Sequence, residues 1–147
     1  MSESLNRNLD DDLLGDVLFG PACMLRGTEL DEEELIRIAL ESFDHRPLFV
    51  VGTWMLLDVI LPSAELKAIE DRGLKPTVLY ANHVLFTTQP QEVSSYGVIS
   101  GYQVDLDGCI FESKDALYIL AGRGARKHVS LPGLIALQDS IGGTHHD

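Results

Sequence analysis

Two runs of like charge are the residues of this chain whose types and spacing are suited to chemistry. Asp31-Glu32-Glu33-Glu34 puts four carboxylates in succession, and Gly122-Arg123-Gly124-Ala125-Arg126-Lys127-His128 brings three cations and an imidazole into one stretch. The first would face a basic surface. The second would suit an anion, because guanidinium groups grip oxyanions bidentately and the start of a following helix adds backbone amides. The cluster carries neither a full GxGxxG fingerprint nor a Walker GK[ST]. Its plainer reading is therefore a flexible strand-to-helix loop whose cations balance nearby acids.

Other reactive side chains do not fall into a pattern. His45, His83 and His128 are far apart and belong to no HxxxH, HExxH or HxH unit, while His145 and His146 lie in a Gly-Gly-Thr tail. No metal site is expected from them. There is no GxSxG, and Cys23 and Cys109 sit among apolar neighbours without CxxC spacing. Unreactive, reduced thiols are the expectation, and no cofactor is implied. Asp105 and Asp107 read as turn residues. Asp58, inside the apolar stretch Leu48–Leu61, either faces solvent on a strand edge or is buried and needs a partner such as an arginine. Trp54, Tyr80, Tyr102 and Tyr118 take core-like positions, and Tyr96 in Ser-Ser-Tyr-Gly is the aromatic expected to stand exposed as an interface anchor.

Charge is polarised along the chain. The 147 residues carry 23 carboxylates against 11 Lys and Arg, a net charge of −12. Residues 1–46 hold twelve of the carboxylates and four of the cations, net −8, which leaves the remainder at −4. Such acidity opposes direct binding to nucleic-acid phosphates or an anionic membrane, and favours a basic partner protein. It also serves simply to keep an apolar chain in solution.

The elements that must position these residues follow from periodicity. Residues 1–11 read as a flexible acidic leader and 143–147 as a flexible tail, with one domain over 12–142. Leu13, Leu14, Val17 and Leu18 predict a short helix stopped by Gly20-Pro21. Thr28 with Asp31 resembles a capping box for a helix over 29–43, with Ile36, Ala39, Leu40 and Phe43 inward. Leu48–Leu61 is apolar on both faces and predicts a central strand with a bulge near Gly52, a buried helix being the alternative. It contains Asp58 and is only fourteen residues long, too short for a membrane span. Ser63 is expected to cap the next helix and Gly73 to end it in a left-handed C-cap.

Beyond it, Thr77–Tyr80 and Val84–Thr87 are predicted as strands across an Asn82-His83 turn. Gly97–Asp105 follows as one strand, then a hairpin at Asp107-Gly108, Cys109–Glu112 and Leu117–Ala121. Ser130 caps a last helix with Leu134, Leu137 and Ile141 inward. The order predicts a single α+β domain, a largely antiparallel sheet with three or four helices packed on one side. An open strand edge would offer a homodimer contact.

Gly52-Thr53-Trp54-Met55-Leu56, Leu61-Pro62-Ser63-Ala64-Glu65-Leu66, Gly73-Leu74-Lys75-Pro76 and Cys109-Ile110-Phe111-Glu112 resemble small uncharacterised proteins of proteobacteria and their phages. That resemblance brings no activity, cofactor or catalytic residue; it implies a bacterial or phage accessory protein.

The expectation is accordingly a cytoplasmic interaction module rather than an enzyme, with no catalytic residues. Asp31, Glu32, Glu33, Glu34 and Tyr96 would meet a basic partner, in the manner of an inhibitor that presents phosphate-like carboxylates. Two alternatives stand beside it. One is a small enzyme or nucleotide- or anion-binding protein that uses Arg123, Arg126, Lys127 and His128. The other is a structural homo-oligomerisation domain.

Overall fold

The computed structural model describes residues 23–26, 33, 34, 37, 41 and 46–142. Its organising element is β2, Leu48–Ile60, which follows β1, Cys23–Arg26. The sequence LFVVGTWMLLDVI is apolar and rich in β-branched residues, so it is stable only with both faces and both edges covered. Along one edge runs β3, Thr77–Thr87, antiparallel. The other edge is shared by two strands in succession, both parallel to β2: β7, Leu117–Leu120, and β8, Arg123–Ser130.

β7 and β8 behave as one long strand with a bend. Val51 is opposite Leu120 and Trp54 opposite Gly124, so the β7–β8 side spends one residue more than β2 between these pairs. Gly122, at φ +68°, absorbs the extra residue, and across from it Thr53 sits at φ +49°. The bulge expected near Gly52 has its counterpart in the strands beside β2, since the β2–β3 register also shifts between Val50 and Val51, with the extra residue, Leu85, on β3. Trp54 closes the bend by donating its indole N–H to the Ala121 carbonyl at 3.2 Å.

The remaining strands complete a mixed, mainly antiparallel sheet. β4 is Val98–Ile99 and pairs with β3; β5 (Gln103–Asp107), β6 (Ile110–Ser113) and β7 form the expected meander, with Gly108 at φ +60° in the turn. Lys75 bridges Gln103, its N–H reaching the Gln103 carbonyl at 2.9 Å, so the sheet curls until β5 meets the residues leading into β3. Inside the curl lie Phe49, Val51, Trp54, Leu56, Leu79, Phe111, Tyr118 and Leu120. Phe49 stacks on Tyr118 with ring centroids 5.0 Å apart. Burial drives the Tyr118 phenol well above its ordinary pKa, aided by the charges of Glu92 and Asp115.

Two α-helices are delimited among the described residues, besides a 3-10 turn at Pro90–Glu92, where three or four helices were expected. α1, Ser63–Asp71, starts from Pro62 rather than from a Ser63 cap and buries only Ile69. Its end is as expected: Gly73 at φ +76°, with Gly73 N–H on the Glu70 carbonyl and Leu74 N–H on that of Ile69, a Schellman motif. α2, Leu131–Gly142, is capped by the Ser130 hydroxyl, which accepts from Gly133 N–H at 3.1 Å. It lays Leu134 and Leu137 over Leu57, Val59, Val78, Tyr80 and Val129. The helix expected from Leu13 to Leu18, the 1–11 leader and the 143–147 tail lie outside the described residues. Most of 29–43 does too, although Glu33, Glu34, Arg37 and Glu41 are helical.

Three strand expectations change. Asn82-His83 is not a turn: β3 runs straight through it, because β2 supplies partners all along, including Gly52 for His83 and Trp54 for Ala81. Gly97–Asp105 is two strands, broken where Ser100 turns its hydroxyl and N–H onto the Leu79 backbone. Beyond Gly122 at the bend, the stretch expected as a loop is instead β8, Arg123–Ser130, inserted between β1 and β2.

Candidate functional site

Because Arg123–His128 is strand, its cations alternate between faces instead of converging. Arg126 lies on the face of Leu56 and Asp58. Its Nε donates to Asp58 Oδ2 and its Nη2 to Asp58 Oδ1, both at 2.8 Å, while Thr77 Oγ1 donates to Oδ1 at 2.7 Å. Of the two alternatives for Asp58, the structure has the one with an arginine partner. Partial burial raises the Asp58 pKa, but the hydrogen bonds from Arg126 and Thr77, the Arg126 charge and His128 outweigh it and hold the carboxyl below 3.8. The same bonds raise the Arg126 pKa.

The other members of the cluster go elsewhere. Lys127 is buried on the opposite face, opposite Leu57 in register. His128 is exposed beside Asp58 in register, and Arg123 is exposed at the strand start. Arg123 makes no ion pair with any described residue.

Of the acidic run, Glu33 and Glu34 are exposed, and Asp31 and Glu32 lie outside the described residues. Tyr96 is 62% exposed, as expected of an anchor. It caps a tight turn in which Ser94 and Gly97 exchange backbone hydrogen bonds at 3.1 Å, and the Tyr80 hydroxyl donates to its carbonyl at 2.9 Å. Gly97 is obligatory there: at φ +106° a side chain would collide with the Ala81 carbonyl and with Asn82 Cα.

Two further features were not anticipated. On the β5–β6 hairpin, Asp105 stands opposite Glu112, and with Asp107, Ile110, Leu117 and Arg46 they line a cleft of about 160 Å³. Arg46 Nη1 binds Glu112 Oε2 at 2.8 Å and tempers the like-charge pair. At the β2–β8 bend, Thr53, Trp54, Met55, Arg123, Gly124 and Ala125 line an apolar groove of about 340 Å³. Its walls are some seventy residues apart in sequence and meet only through the parallel register, so neither periodicity nor spacing announces them.

Cys109 is a partly buried free thiol, and His83 is exposed. The side chains of Cys23, His45, His145 and His146 lie outside the described residues. Among the described residues no three His, Cys, Asp or Glu side chains gather to hold a metal ion, and no helix is long and apolar enough to cross a membrane.

Compared with known proteins, residues 26–136 match a family described as a domain of unknown function, DUF6957. The chain belongs to that family. Neither a curated protein nor a solved structure matches it.

Proposed function

We propose that this member of the DUF6957 family is an acidic protein-protein interaction module, a bacterial or phage accessory factor or inhibitor that binds a basic partner protein. The observation that carries the reading is how the two charged runs differ. The described carboxylates of the acidic N-terminal third, Glu33, Glu34 and Glu41, are all exposed, whereas the basic run is folded into β8 with Arg126 held by Asp58 and Lys127 buried. Negative charge is thus the charge available at long range, and steering by opposite charge speeds encounter with a basic surface. Tyr96, exposed on a rigid turn, supplies an aromatic anchor of the type that dominates interface energetics.

The test is capture of partners from native host lysate on the tagged protein, at about 50 mM and about 500 mM salt, across which the screening length falls severalfold. A basic protein retained at low salt, released at high salt, and lost with Asp31→Lys, Glu32→Lys, Glu33→Lys and Glu34→Lys combined is the expected result. Retention unchanged by that reversal would refute the reading.

A further inference from the structure

We infer that the groove at the β2–β8 bend binds a small amphiphilic anion: an apolar ring or chain bearing one carboxylate or sulfonate, with Arg123 as its charge partner. The groove's volume of about 340 Å³ lies at the lower end of small-molecule sites, which run from roughly 300 to 1,000 Å³. Strand alternation puts Arg123 and Ala125 on one face of β8, and register brings Met55 beside Ala125. An exposed guanidinium therefore stands at the mouth of an apolar trough.

Charge makes that arrangement unusual. In a chain where carboxylates outnumber Lys and Arg by 23 to 11, Arg123 makes no ion pair with any described residue.

The rim is strained as well: Thr53 is the one described non-glycine residue at positive φ, and a β-branched side chain is the least suited to that conformation. Backbone of this kind clusters at ligand sites. One exposed cation over an apolar floor fits a monoanion; Lys127 lies on the same face of β8 but is buried. A polyphosphate would call for several converging cations, and Arg126 faces the other way, held by Asp58.

The experiment titrates 8-anilinonaphthalene-1-sulfonate and its uncharged parent, N-phenyl-1-naphthylamine, into the full-length protein and follows fluorescence. Three chains are compared: the unaltered protein, Arg123→Gln and Ala125→Phe, each checked by far-UV circular dichroism. Expected is one sulfonate per chain. Arg123→Gln should weaken the sulfonate about tenfold, as for loss of a charge-assisted hydrogen bond, and leave the uncharged probe unchanged. Ala125→Phe, which fills the trough, should remove both. Because Arg123 is exposed, Arg123→Gln decides the matter even if Ala125→Phe fails to fold. Absence of sulfonate binding, equal binding by Arg123→Gln, or equal loss of both probes in Arg123→Gln would overturn the inference.

Discussion

Gly124→Ala probes the packing that holds the bend. A Cβ at Gly124 would lie under 3.0 Å from three atoms of the Trp54 indole, closer than real Cβ contacts come. Trp54 is only 3% exposed and its N–H is engaged by Ala121, so the ring has little room to give. Overpacking of this kind costs about 1–3 kcal/mol, and displacing the indole N–H adds about 0.5–1.5 kcal/mol. Against this, Ala at an ordinary backbone conformation gains roughly 0.4–1 kcal/mol through the unfolded chain. The net expectation is a loss of about 1–3 kcal/mol, a fall in Tm of about 3–10 °C at this chain length.

Urea unfolding followed by circular dichroism measures it, and Trp54, the sole tryptophan, gives a second probe in the parent background. A cycle with Trp54→Leu isolates the cause. Without the indole, Gly124→Ala should be neutral or stabilising, a coupling of about 2 kcal/mol between the two sites. A Gly124→Ala protein as stable as its parent, or strict additivity with Trp54→Leu, would refute the reasoning.

Asp58→Asn should lower stability by up to about 1 kcal/mol near neutral pH, the scale of a partly exposed pair. Since the folded pKa of Asp58 is depressed, its contribution is present above the unfolded carboxyl pKa and lost as pH falls through the folded one. Denaturation curves of parent and variant should therefore draw together as pH falls below the ordinary carboxyl range and meet once the folded carboxyl is protonated; a gap that persists at still lower pH would show that the carboxylate charge is not its source. Ser130→Ala removes the cap of α2 and should cost about 1 kcal/mol, roughly 2–4 °C in Tm, with Ser130→Asp restoring most of it. Equal melting of Ser130→Ala and its parent would discount the cap.

Local order was written in local residues. The apolar, β-branched run at 48–60 favours an inner strand over a buried helix, the glycines at 73 and 108 end a helix and turn a hairpin, and a serine at 130 starts a helix, because each depends on conformational preferences within a few residues. The exposed Tyr96, and an arginine partner as one of two outcomes for Asp58, were legible for the same reason: a side chain's chemistry constrains its surroundings.

Partner choice along the chain was not written there. Asn82-His83 has turn-like composition, yet the long edge of β2 keeps it in strand; Gly122–His128 has loop-like composition, yet β1 and β2 close on both its edges and convert it to sheet. That conversion splits the cations between faces, gives Arg126 to Asp58, and leaves Arg123 beside the groove formed at the bend. Composition and periodicity therefore determined the charge polarity, the α+β class and the principal elements, since these sum over neighbouring residues. Strand pairing, and with it which charged groups meet, was decided by the tertiary structure, because backbone hydrogen bonds between distant segments outweigh the weak preferences of the residues that make them.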